Sequence, residues 1–131
     1  MKTIICDIDG TLWDERLRPM QHVIDFINAN YGKYNIALVT GRLSGIQSQT
    51  VDRLKKDGIK YNRIYMNPGS VSAMYDHKEK IAKMLNKDGD VVLAIDNDMK
   101  ARDIYKAAGI HTCSPSNVNS QLLKMSWDNV F

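Results

Sequence analysis

No stretch of this 131-residue sequence holds the ~18–20 consecutive apolar residues that a membrane-spanning helix needs. The apolar start, Thr3-Ile4-Ile5-Cys6, is broken at once by Asp7 and Asp9. That is too soon for the hydrophobic segment of a secretion signal, so a cytoplasmic location with no membrane attachment is expected. Cysteine is scarce: Cys6 and Cys113 stand alone, in separate apolar stretches and without C-x-x-C spacing. Neither a cysteine-rich metal site nor a disulfide-stapled fold follows, and both are expected to be reduced, buried small hydrophobes. There is no G-x-x-x-x-G-K-[ST] run, which excludes a nucleotide-driven kinase of the P-loop type. His22, His77 and His111 show no ligand spacing and are read as non-catalytic. Neither sign of charge dominates: 18 Lys and Arg against 15 Asp and Glu give +3, which is compatible with a phosphate-bearing ligand without demanding one. The basic residues Arg53, Lys55, Lys56, Lys60 and Arg63 read as a solvated helix face, tempered by Asp52 and Asp57.

What is present is an alternation. The length suits one domain over residues 1–131, with no linker, repeat or low-complexity tract. Strands are expected at Lys2–Cys6, Asn35–Val39, Arg63–Met66, Asp90–Ile95 and Ile110–Cys113. Helices are expected at Met20–Tyr31, Ser44–Asp57 with Ile46, Val51 and Leu54 inward, Asp76–Asn86, Met99–Ala108, and Val118 to about Ser126. Gly32, Gly58 and Gly109 mark stops. Trp127 and Phe131 are expected to seal a core edge. Strand and helix in turn, with near-continuous apolar strands, predict an α/β fold: a Rossmann-like three-layer sandwich around a central, mostly parallel sheet.

In such sheets ligands bind beyond the carboxyl ends of the strands. Three polar clusters fall there: Asp7 and Asp9 after the first strand, Thr40-Gly41-Arg42 after the second, Asp96-Asn97-Asp98 after the fourth. Each has a plain reading and a chemical one. Asp7 and Asp9 form either an Asx-turn, with Gly10 permitting the bend, or an oxygen site for a divalent cation such as Mg²⁺. An EF-hand loop is excluded, because its glycine is the sixth residue and Gly10 is the fourth from Asp7. Asp96-Asn97-Asp98 either caps the next helix or adds a third carboxylate through Asp96. Thr40-Gly41-Arg42 is either a strand–helix turn or a phosphate cradle. Lys78, at a helix start, is either solvated or a point charge for a phosphoryl group.

Together these residues resemble the haloacid dehalogenase superfamily of phosphotransferases, over residues 1 to about 113. Its D-x-D-G-T motif stands as Asp7-Ile8-Asp9-Gly10-Thr11, its strand ending in Thr or Ser as Ile36–Thr40, its lysine as Lys78, its acidic pair as Asp96-Asn97-Asp98. Within it, "TGR", Thr50 and "GIKYNRIYM" look like the phosphatase domain of polynucleotide kinase-phosphatases. The pattern departs at Asn67, where arginine is common, at Met74, where aspartate is common, and at Asn97, where a second acid is usual.

The resemblance implies a Mg²⁺-dependent phosphatase. Asp7 is the nucleophile and Asp9 the general acid and base. Mg²⁺ sits on Asp7, Asp96 and the Asp9 carbonyl, and either Asn97 or Asp98 completes the site. Thr40 and Lys78 hold the phosphoryl oxygens. Gly41, Arg42 and Arg18 are expected at the substrate, and Trp13 lies where a flap would touch it. No segment is long enough for a cap domain, so the site is expected to be open and to suit a nucleic-acid 3′-end. Three alternatives stay open: a phosphatase for a mononucleotide or other small ester, a domain that only binds nucleic-acid ends, and a phosphoacceptor domain of receiver type. The last needs an acceptor aspartate after the third strand, where Asn67-Pro68-Gly69 stands.

Overall fold

The computed structural model describes residues 1–121. Five parallel strands lie in the order β3-β2-β1-β4-β5: β1 (Thr3–Cys6), β2 (Asn35–Leu43), β3 (Arg63–Asn67), β4 (Val91–Ile95) and β5 (Thr112–Cys113). Four helices connect them: α1 (Gln21–Asn30), α2 (Gln47–Lys56), α3 (Met74–Leu85) and α4 (Met99–Ala107). This is the expected three-layer α/β sandwich. β1 sits in the middle of the sheet, which is why its four residues are all buried and read as an unbroken apolar run. Its side chains alternate between two cores. Ile4 and Cys6 pack with Val23, Ile24 and Ile27 of α1 and Leu54 of α2. Ile5 packs on the other face with Ala82 of α3 and Ala101 and Tyr105 of α4. Each buried isoleucine contributes roughly 1.5–3 kcal/mol, so the middle of the sheet anchors whatever follows Cys6. Both cysteines are buried and unpaired, as expected.

Three expectations are corrected. β2 continues four residues past Val39 to Leu43, so Thr40-Gly41-Arg42 belongs to a strand and not to a turn at a helix N-terminus. Its pairing with β3 jumps from Val39–Tyr65 to Leu43–Asn67. Four residues of β2 thus face two of β3, a bulge that turns the polar triplet out of the ladder. Ile46 is 40% exposed rather than inward, because residues 44–46 form a separate 3-10 turn out of phase with α2. α3 begins at Met74, so Lys78 lies a full turn inside the helix and not at its start. The helical segment expected from Val118 does begin there, while its continuation, Trp127 and Phe131 lie outside the described residues. No helix among the described residues is long and apolar enough to cross a membrane.

Tyr105 is fully buried, yet its hydroxyl has no hydrogen-bond partner among the described residues. A buried polar group without a partner costs about 1–3 kcal/mol. Tyr105→Phe is therefore expected to stabilise the protein by up to about 1 kcal/mol, since the ring is kept and only the costly group is lost. Urea unfolding checks this, and a drop in midpoint would contradict it.

Candidate active site

Asp7 is the first residue beyond β1, and its N–H still donates to the Ile95 carbonyl of β4 at 2.9 Å. The carboxylate is therefore fixed at the end of the two central strands. It is nearly buried. Oδ1 accepts from Lys78 Nζ at 3.2 Å, and Oδ2 accepts from the Thr11 hydroxyl at 3.3 Å. Lys78, whose side chain is 2% exposed, also donates to Asp96 Oδ2 at 2.7 Å. One ammonium thus serves two buried carboxylates, leaving one negative charge without a counter-ion. The electrostatics follow. Burial, helped by the Asp96 charge, pushes the Asp7 carboxyl up to about 8 against the pull of Lys78. Burial works to lower the Lys78 ammonium, but the charges of Asp7 and Asp96 outweigh it and raise it.

Asp96 is wholly buried and fully engaged. Oδ2 takes Lys78, Oδ1 takes the Asp98 N–H at 2.9 Å, and its carbonyl takes Arg102 at 2.8 Å. Asp98 has the capping role: Oδ1 accepts the Lys100 N–H at 2.9 Å at the start of α4, and Oδ2 accepts the Tyr75 hydroxyl at 2.6 Å. The residue that reaches Asp7 and Asp9 from this segment is Asn97. One atom of its amide lies 3.0 Å from both Asp7 Oδ2 and the Asp9 carbonyl oxygen. Nitrogen there can donate to both; oxygen there would meet two acceptors with no proton between them. Gly10 makes room for it. A Cβ on Gly10 would lie 2.3 Å from the Asn97 amide, and its φ of +79° favours glycine.

Asp9 points outward, its side chain half exposed, into a bidentate pair with Arg42 at 2.8 and 2.9 Å. Arg42 also reaches Thr50 at 3.3 Å and lies over the Trp13 ring, 5.0 Å from its centroid. Arg53 lies over the same ring at 5.7 Å, and the indole N–H donates to Asp57 at 2.9 Å. Trp13 is only 1% exposed, so the expected contact between its side chain and substrate is not available. Its role is to support the two guanidiniums.

Asp7, Asp9, Gly41, Arg42, Lys78 and Asp96 come together around a cleft of about 340 Å³, with Met74, Asn97 and Asp98 completing its lining. Met74 lies close on Gly41, where a Cβ would meet its sulfur at 2.5 Å. Thr40 is buried beside this cleft without lining it, its hydroxyl accepting the Arg42 N–H at 3.0 Å. Arg18 is not brought in: it is paired with Asp14 at 2.8 Å on the exposed loop. The three histidines bond to Pro115, Tyr65 and Gln121. Among the described residues no three His, Cys, Asp or Glu side chains are grouped to hold a metal ion. The donor set that does converge is mixed: Asp7 Oδ2, the Asp9 carbonyl and the Asn97 amide, beside an uncompensated charge. The oxygens of Asp7 and Asp9 fit Mg²⁺, and the Asn97 amide can add its own oxygen only when turned the other way round. The sequence reading left Asn97 as one of two options and passed over Thr11 and Tyr75. Thr11 stood in the D-x-D-G-T motif, whereas nothing marked Tyr75.

No protein-family model matches the sequence, and no curated protein does. Solved structures do. A chain in the structure of the Pnkp1/Rnl/Hen1 RNA repair complex matches with a TM-score of 0.74 at 19% identity, over 86% of this chain and 42% of that one. A second structure of the Pnkp1/Rnl/Hen1 complex matches with a TM-score of 0.70, again at 19% identity over 86% of this chain and 45% of that one. A hypothetical protein from Xanthomonas campestris matches with a TM-score of 0.53 at 15% identity, over 86% of this chain and 63% of that one. The chain spans less than half the length of the repair-complex chains it matches. In fold, this chain is therefore similar to chains found in an RNA repair complex, in keeping with the resemblance carried by Asp7-Ile8-Asp9-Gly10-Thr11 and the three motifs that follow it.

Proposed function

We propose that this chain is a phosphomonoester hydrolase that needs a divalent cation, Mg²⁺ by the chemistry of its oxygens, and removes 3′-phosphates from nucleic-acid ends. The observation that carries the reading is Asp7: a buried carboxylate at the end of the central strand, held by Lys78 and Thr11 at the floor of an open cleft. A carboxylate so placed is oriented to attack. Its oxygen forms a bond to phosphorus while the ester oxygen leaves with a proton from Asp9. Asp9 then takes a proton from water, the water oxygen attacks phosphorus, and inorganic phosphate departs as the Asp7 carboxylate is regenerated. Lys78 neutralises charge at the nucleophile, and Arg42 is the cation that an incoming phosphate would share with Asp9. The bidentate Arg42 pair holds the Asp9 carboxylate at the cleft mouth until then. Asp7, the Asp9 carbonyl and Asn97 would hold the cation, which when bound supplies positive charge between an anionic nucleophile and an anionic substrate. Asp96 would act through Lys78 rather than as a ligand.

Two features favour a nucleic-acid end over a small ester. Among the described residues no inserted unit covers the cleft, and the fold is shared with chains of an RNA repair complex. The test is phosphate release with Mg²⁺ from a 3′-phosphorylated oligonucleotide, a 5′-phosphorylated one and a nucleoside monophosphate. The 3′-phosphorylated oligonucleotide is expected to react fastest. A preference for the monophosphate would keep the mechanism and overturn the substrate. Release from none, with Mg²⁺ present, would overturn the enzyme reading in favour of end binding.

A further inference from the structure

We propose that Asn97 is a two-sided amide that lets the site stand with or without its cation, at the cost of weaker cation affinity; this rests on the divalent-cation reading above. With nitrogen inward, the amide donates at 3.0 Å to both Asp7 Oδ2 and the Asp9 carbonyl and ties the two segments together. Turned half a revolution about its terminal bond, it puts oxygen in the same place. Three oxygens then face one another. The 3.0 Å from the amide atom to each of the other two is close to the ~2.9 Å between neighbouring oxygens that bind Mg²⁺ at 2.0–2.1 Å. Nothing has to translate: the two ends of an amide exchange by rotation, and Gly10 offers only backbone below it.

A carboxylate at position 97 could do only half of this. It has no proton to donate, so without a cation it would add a second charge beside Asp7 and a third acceptor to a group already short of donors. With a cation bound it would hold it more tightly, because ligand charge sets affinity in oxygen sites. Asparagine gives up that affinity. In exchange the cleft keeps its shape when Mg²⁺ leaves, and a bound ion keeps more of its charge for a phosphate.

The experiment is thermal unfolding of the wild type, Asn97→Asp and Asn97→Ala, first in chelator and then across a Mg²⁺ titration. In chelator both variants are expected to melt several degrees below the wild type. In the titration Asn97→Asp should reach half its stabilisation at about tenfold lower Mg²⁺ than the wild type, and Asn97→Ala at higher Mg²⁺. An Asn97→Asp protein that melts at or above the wild type in chelator, or that shares its Mg²⁺ midpoint, overturns the inference alone. Absence of any Mg²⁺ effect on the wild type overturns the cation reading and the inference with it.

Discussion

Asp7→Asn is expected to abolish phosphate release and, in the same tube, to make the cation-free protein more stable at alkaline pH. The loss follows from chemistry: an amide oxygen is a poor nucleophile, and removing an attacking group costs more than about 10⁴-fold in turnover. The gain follows from charge. The folded protein raises the Asp7 carboxyl from the ordinary 3.8 to about 8, by burial first and by the Asp96 charge second. A carboxyl raised by folding contributes stability fully at pH below its unfolded value and loses it as pH climbs through the folded value. In chelator the wild type should therefore lose stability relative to Asp7→Asn from about pH 4 upward, and the gap should level off above about pH 8. Melting curves across that range, in chelator, are the measurement, with a gap of a few degrees expected at pH 9. Retained turnover would remove Asp7 from the mechanism. A flat difference across pH would mean that the carboxyl is ionised at no cost.

Lys78→Met should be the most damaging single change to stability. The methionine can follow the lysine stem through the core, so the loss is mainly one of charge. Asp7 and Asp96 would face each other with no ammonium between them. Breaking a buried pair by removing one partner costs about 3–5 kcal/mol, and a domain of this size melts some 10 °C or more lower for that loss. The cause can be separated from mere repacking. Lys78→Met combined with Asp7→Asn removes one of the stranded anions, so the double variant should recover part of the loss. A double variant no more stable than Lys78→Met would show that packing, and not charge, was at stake.

The strands were readable because a parallel sheet covered on both faces leaves no polar side, so β1 and β4 appear as apolar runs. The polar clusters were readable as a group for the same reason: parallel strands put all their carboxyl ends at one edge. What escaped was what one residue does to its neighbour's geometry. Thr40-Gly41-Arg42 looked like a turn because glycine and arginine follow an apolar run, and nothing in a single strand announces that its partner is two residues short. The resemblance places Trp13 at the substrate because family members carry a flap there, yet Arg42 and Arg53 cover its ring from segments far along the chain. Asp96 reads as a cation ligand, and its contact with Lys78, which α3 delivers from inside its second turn, was not legible in the sequence. Asp98 could be read as a cap, and it is one.

The bulge in β2 has a thermodynamic consequence. Residues that meet a substrate from a mobile loop must be immobilised each time it arrives, at roughly 1–2 kcal/mol of backbone entropy per residue. Here Gly41 and Arg42 are immobilised once, when the sheet forms, because their strand is pinned at Val39 and again at Leu43. If the proposed function holds, association with a phosphate end would start from a surface that is already ordered, and what remained to be ordered would belong to the substrate.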